Sequence, residues 1–242
     1  MVDSSSVAFY QENGYLLIKG LLTGQEADAY RAECHKVLAR LAPGDPTWGS
    51  ARRLTATRTE LRHCHDAQFH SAAFSRLMLD PRFTGAATAL LGRPDLQLHH
   101  TKIFVKPPEK GSPFPLHQDA AHFPHTKHTV TAAIFHFDDA PEEKGCVRVI
   151  PGSHRRGPLP HVEEGGWHLP ITEWPLDAAT PVEAEAGDAL FINYLTVHGS
   201  GVNTSAEPRT TFLIQFRAPD DHPADDVHHS RGQGMMLHGT AS

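Results

Sequence analysis

The chain has 242 residues, enough for one large domain whose core can bury most of the surface that the unfolded chain exposes, so no cofactor is needed to hold it folded. Lys and Arg number 22 against 28 Asp and Glu, a formal charge of −6, which excludes a global electrostatic attraction for nucleic acid or an anionic membrane and leaves any anion site local. Three unpatterned cysteines (Cys34, Cys64, Cys146) argue against a disulfide framework, and with no basic-then-apolar leader and no membrane-length apolar run, a cytoplasmic protein is expected.

In chain order, Phe9 to Gly14 closes a short helix with Asn-Gly as its stop, and Tyr15-Leu16-Leu17-Ile18 reads as a strand. Thr23-Gly24-Gln25-Glu26 is a capping box, which predicts a helix from about 24 to about 41 with Ala27, Tyr30, Cys34, Val37, Leu38 and Leu41 as its buried stripe. Residues 42–59 are rich in Pro, Gly, Arg and Thr and read as a loop able to lie over a pocket. A second helical stretch at about 68–91 is interrupted near Asp80-Pro81 and ended by Gly92-Arg93-Pro94.

Beyond Pro94 the pattern changes to short strands separated by turns. They are expected at 96–106, 130–137, 146–150, 182–185, 189–195 and 210–217, with Gly187-Asp188 among the turns. The fold class is therefore mainly β with supporting helices, a barrel or double-sheet jelly roll (a double-stranded β-helix, cupin-like core). One domain is expected: helical support over about 1–95, a jelly-roll core over about 96–219, and a flexible tail or lid over about 220–242.

The chemistry centres on His117-Gln118-Asp119, where an imidazole and a carboxylate two residues apart share one face of a strand. His198, at the end of an apolar run, is the best third ligand, and two histidines with one carboxylate make the facial triad of ferrous oxygenases. With 19 histidines in the chain, the alternative is a set of surface or hydrogen-bonded histidines that meet no metal. Arg209 stands eleven residues on; buried near iron it needs a carboxylate, such as the far end of 2-oxoglutarate, and on the surface it would merely pair with an acid such as Glu207.

Several stretches together resemble the phytanoyl-CoA dioxygenase family of iron(II)- and 2-oxoglutarate-dependent oxygenases, over nearly the whole chain. They are Phe-x-x-x-Asn-Gly-Tyr-Leu from Phe9, the stretch His100 to Pro108, His117-Gln118-Asp119, Gly145-Cys146 leading to Ile150-Pro151-Gly152-Ser153-His154, Gly187-Asp188, His198-Gly199-Ser200-Gly201 and Arg209. The resemblance implies that His117, Asp119 and His198 ligate Fe(II) and that Arg209 pairs with the distal carboxylate of 2-oxoglutarate, with Ser200 adding a hydroxyl. It points Lys102 toward the co-substrate and sets Phe135 where relatives often carry a tryptophan that packs against it. It also implies O2 as oxidant, succinate and CO2 as co-products, and, with Asp119 intact, oxygenation rather than halogenation.

Around this centre, Gln118, His122, Phe123 and Arg148 are candidates for contact with substrate. The run His122, His125, His128 offers a conceivable second metal site, but Pro124 and its polar neighbours suit a loop over the pocket. A cupin-like isomerase or lyase that dispenses with 2-oxoglutarate is the alternative class, against which Arg209 argues. The partner expected is a small organic metabolite, with an acyl-CoA thioester as the alternative. No nucleic acid or membrane partner is expected, and the sequence does not specify oligomeric state.

Overall fold

The computed structural model describes residues 2–41, 59–163 and 166–240, so the expected loop over 42–59 lies outside the described residues except for Thr59. Helix α1 (Ser4–Asn13) starts at Asp3, whose carboxylate accepts from the Ser6 N–H (2.8 Å), and stops at Gly14 in the left-handed region. Helix α2 (Gly24–Arg40) carries the expected capping box, with the Thr23 N–H donating to Glu26 (2.8 Å) and the Glu26 N–H to Thr23 Oγ1 (3.2 Å). Ala27, Cys34 and Val37 are buried on its inner face, and Tyr30, Leu38 and Leu41 pack partly buried beside them.

The second helical stretch divides into α3 (Ala72–Met78) and α4 (Pro81–Leu91), after a short 3₁₀ turn at Ala67–Phe69. The break falls at Asp80-Pro81 because proline offers no N–H and disfavours helical backbone in the residue before it. Asp80 then caps the new helix through the Arg82 N–H (2.8 Å), and Gly92 ends it.

Among the described residues, eleven strands form two antiparallel sheets facing one another across the jelly roll, which makes the fold mainly β. The larger joins β1 (Tyr15–Ile18), β8 (Ala189–Asn193), β5 (Thr131–His136), β10 (Arg209–Arg217), β3 (Leu96–Lys106) and β11 (Met236–His238) in that order, with β2 (Arg62–His65) also on β3. The smaller runs β4 (Phe114–His117), β9 (His198–Ser200), β6 (Val147–Val149) and β7 (Thr180–Val182).

Alternation along the central strands decides what faces the helices and what faces the cavity between the sheets. On β10, Phe212, Ile214 and Phe216 enter the helix-side core, while Arg209, Thr211, Leu213 and Gln215 line the cavity. Phe83 of α4 joins the layers, its ring centroid 5.8 Å from Phe135, 6.3 Å from Phe191 and 5.6 Å from Phe216.

The strands depart from the sequence reading in several places, β9 among them, since it lies beyond the run expected at 189–195. Strands β2 and β11 were not expected, and the strand expected at 182–185 is displaced to Thr180–Val182, leaving Ala184 only an isolated bridge to Ala140. The tail is not loose throughout: β11 pairs with Leu96 and Gln97 of β3. Gly187 and Asp188 have structural roles, Gly187 at φ +100° and Asp188 accepting from the backbone N–H groups of Gly20 (2.8 Å) and Glu185 (2.9 Å).

Phe83→Ala is expected to cost about 3–5 kcal/mol, the range for removing a fully buried aromatic side chain. Urea denaturation checks this; a loss under about 1 kcal/mol would mean that the helices and the large sheet do not depend on this junction.

Candidate active site

The two histidines of the centre come from adjacent strands of the smaller sheet. His117 ends β4 and His198 begins β9, and the two are direct partners in the strand register, so their ring centroids are 4.3 Å apart. Each ring is locked in the same way: His117 Nδ1–H donates to the Pro115 carbonyl (2.8 Å) and His198 Nδ1–H to the Thr196 carbonyl (2.9 Å). A carbonyl can only accept, so each Nδ1 carries the proton and each Nε2 presents its lone pair.

Asp119 does not share a strand face with His117, contrary to the sequence reading. The strand ends at His117, and Asp119 opens a 3₁₀ turn that brings its Oδ1 to 3.6 Å from His117 Nε2 and 3.8 Å from His198 Nε2. The corner is held by Gln118, whose side-chain amide donates to the carbonyls of Gly157 (3.0 Å) and Leu195 (2.6 Å) while its oxygen accepts from the Leu159 N–H (2.8 Å). Gln118 is thus a buried brace and does not line the cavity, because its side chain is spent on backbone groups.

Across the cavity, Gln215 Nε2 donates to Asp119 Oδ2 (2.8 Å) and leaves Oδ1 facing the imidazoles. Burial pushes the Asp119 carboxyl upward, but the two imidazoles and the Gln215 amide outweigh it and hold the group well below the usual range. Burial and the neighbouring His117 pull His198 down to about 4. At neutral pH the set is therefore a carboxylate with a neutral His198, and one ligand atom from each of the three residues lies within 4.8 Å of the others. This chemistry fits a borderline divalent cation.

The cavity has a volume of about 600 Å³ and contains, besides the triad, Lys102, His122, Phe123, Ser200 and Arg209. Arg209, the first residue of β10, is only 4 % exposed; burial lowers it to about 10, and one Nη donates to the Gly145 carbonyl. Its Nε has no hydrogen-bond partner, and Glu207, the surface acid weighed against it, pairs instead with Lys144.

Sequence reasoning missed Lys106, fully buried at the end of β3. Its Nζ donates to Ser200 Oγ (2.7 Å) and to the Gly201 carbonyl, and burial with Arg209 nearby lowers it well below the ordinary lysine value. Among the described residues no carboxylate pairs with Lys106 or Arg209. A buried guanidinium that forms no ion pair among the described residues, beside the Lys106 amino group, fits a bound carboxylate, and Ser200, accepting from Lys106, keeps its own hydroxyl proton to donate.

Two further expectations are corrected. Phe135 lies in the helix-side core against Phe83, because alternation on β5 turns Ala132 and Ile134, not Phe135, toward the cavity. Arg148 faces out of the cavity, donating to the Ala179 carbonyl (3.0 Å) and to Glu142, while its neighbour Val147 lines the wall. Of the histidine run after Asp119, His122 lines the cavity, whereas His128 Nδ1 hydrogen-bonds the Tyr194 hydroxyl (2.5 Å) and the His125 ring leans on His99 at 5.1 Å between centroids.

A jelly roll whose cavity gathers two histidines, an aspartate and a buried arginine defines the class of non-haem metal oxygenases. Comparison with known proteins narrows this. The phytanoyl-CoA dioxygenase family matches residues 10–211, and the chain belongs to that family. It is 30 % identical to the peroxisomal phytanoyl-CoA dioxygenase of Bos taurus, over 90 % of this chain and 69 % of the relative, and 28 % identical to a probable alpha-ketoglutarate-dependent hypophosphite dioxygenase of Stutzerimonas stutzeri, over 88 % of this chain and 78 % of that one. Among solved structures it is similar to the epimerase SnoN in complex with Fe3+, alpha ketoglutarate and nogalamycin RO, with a TM-score of 0.76 and 27 % identity over 96 % of this chain and 97 % of that one.

Gln215→Leu is expected to weaken metal binding by roughly 10- to 100-fold, the usual effect of removing a group that orients a ligand from behind. Calorimetric titration of the metal-free protein with Mn(II) checks it. Unchanged affinity would show that Asp119 is oriented without this bond.

Proposed function

We infer that this chain is an Fe(II)- and 2-oxoglutarate-dependent dioxygenase that hydroxylates, or otherwise oxidises, a small organic metabolite. The observation that carries the reading is the pairing, in one cavity, of a two-His, one-Asp donor set with a buried arginine that forms no ion pair with an acid among the described residues. A cupin-like isomerase or lyase would have no use for that arginine.

His117, Asp119 and His198 would hold the iron. When bound, iron, 2-oxoglutarate and dioxygen supply the oxidising power, through decarboxylation of the keto acid to succinate and CO2. The chain's own residues bind, orient and exclude water. Arg209 receives the distal carboxylate through its forked donors, and Ser200, its oxygen occupied by Lys106, donates to the same group. Gly145 lets this arrangement close: a Cβ there would run into the Gly201 carbonyl, and its backbone at φ +67° suits glycine.

Substrate would enter along the apolar wall of Phe104, Phe114, Ile134, Val147, Trp167 and Leu213. A cavity of about 600 Å³ suits a small molecule beside the co-substrate and would leave most of a CoA thioester outside. The shortage of polar anchors on that wall favours a largely apolar scaffold. Among the described residues no helix is long and apolar enough to cross a membrane. The sparse, unpaired cysteines favour a reducing, cytoplasmic setting.

The test is anaerobic addition of Fe(II) and then 2-oxoglutarate to metal-free protein, which should give the visible charge-transfer band of a chelated keto acid. The band should vanish in His117→Ala. In Arg209→Ala, metal binding should persist while co-substrate affinity falls by about 10²- to 10³-fold, as for loss of one partner of a buried charge pair. Iron uptake without any band would overturn the co-substrate and move the isomerase or lyase class to first place.

Lys102 gives a pH signature. Burial lowers its ammonium to about 8, so it is charged below that pH and neutral above it. Binding of the anionic co-substrate should therefore begin to weaken as the pH rises past about 8, and Lys102→Met should flatten the profile. A wild-type profile unchanged by the substitution would remove Lys102 from co-substrate binding.

A further inference from the structure

We propose a second metal site, built from residues other than the triad, in which His99, His100 and His228 hold a borderline divalent cation such as Zn(II) and so latch the C-terminal segment onto β3. One nitrogen from each of the three imidazoles lies within 4.8 Å of the other two.

The first observation is a β-bulge. On β10, Gln215 faces His100 and Phe216 faces Leu98, so His99 is the extra residue of β3 at a register shift. Consecutive side chains of a regular strand diverge to opposite faces; here the His99 and His100 rings come together at 4.9 Å between centroids, with their Nδ1 atoms 2.7 Å apart. Both residues are buried, at 0 % and 2 % exposure.

The second observation is how His228 arrives. Its backbone lies at φ +55°, a region that residues with a Cβ enter rarely. The segment is fastened just beyond it: the Ser230 hydroxyl (2.5 Å) and the Arg231 N–H (3.1 Å) donate to the Asp66 carboxylate, and the Arg231 guanidinium sits 4.5 Å from the centre of the Phe69 ring. That anchorage sets the His228 ring 5.5 Å from His99 and 4.7 Å from His100. A strained residue held by its neighbours against a histidine pair is a geometry that a ligand would explain.

The third is chemical. Two Nδ1 atoms in contact can share only one proton, so one of them is an acceptor, and His99 Nε2 is buried with no hydrogen-bond partner. An all-imidazole set without a carboxylate suits Zn(II), Cu(II), Co(II) or Ni(II), and is a poor match for Mg(II) or Ca(II). Because His100 and His228 also line the cavity, a cation there would fix one wall of the substrate pocket.

The test is titration of the metal-free protein with Co(II), read in the visible. The wild type should take up two equivalents, one giving the weak bands of a six-coordinate site with water ligands and one the intense bands of a low-coordinate imidazole site. The intense component should persist in His198→Ala and disappear in His228→Asn, where asparagine keeps the tolerance for left-handed backbone while removing the imidazole. A single equivalent lost wholly in His198→Ala, or a second one unchanged in His228→Asn, would overturn the proposal. As an independent readout, Zn(II) should slow tryptic cleavage after Arg231 several-fold in the wild type and not in His228→Asn; equal rates in the two would also overturn it.

Discussion

The structure depends on one cross-strand pair, His117 opposite His198 on β4 and β9. Antiparallel register puts the Cβ atoms of direct partners within a few ångströms, so a single pairing decision brings together two residues far apart in sequence. Each ring then uses the carbonyl two residues upstream, Pro115 or Thr196, to turn its unprotonated nitrogen the same way. A slip of one residue would send one ring to the opposite face and remove the centre altogether. The Gln118 brace and the Gly145 turn are the local devices that protect this register and the arginine pocket beside it.

The remaining parts of the site come from the opposing sheet. Gln215 and Arg209 lie six residues apart on β10, on the same face by alternation, and reach the carboxylate of Asp119 and the Gly145 turn respectively. One strand thus serves both ends of the cavity. Burial, joined for Lys106 by the nearby Arg209, disfavours charge on both groups in the empty protein, a penalty that an arriving anion offsets. Affinity for a dicarboxylate is in this sense prepared during folding.

Much of this was legible in the residues. The capping box at Thr23, the break at Asp80-Pro81 and the alternation of β10 each follow from local physical rules and appear where those rules put them. His117, Asp119, His198 and Arg209 meet in one cavity, as the family resemblance implied. What the sequence hid was orientation at single-residue precision. Phe135 and Ile134 differ by one position and therefore by a whole face of β5, and the same holds for Arg148 and Val147 on β6. Gln118 looked available because nothing local shows that three backbone groups will claim its amide. Strands β2 and β11 are short and lack apolar alternation, so they exist only because β3 offers them an edge. The approach of His228 to His99 and His100 needs both a bulge and a returning tail, neither of which leaves a local signal.

The pairing of β1 with β8 has a consequence for how the molecule is made. Tyr15 lies opposite Ile192 and Ile18 opposite Ala189, so β1 has no partner until β8, about 170 residues further along the chain, has been made. Until then its apolar residues and open backbone edge are exposed, and α1, which packs on it, lacks its support. Contacts of such long range make for slow closure, and the catalytic cavity takes shape only once β8, β9 and β10 have joined the earlier strands. A metal held by His117, Asp119 and His198 needs β4 and β9 already paired, so the site belongs to the assembled sheets and not to any one local segment.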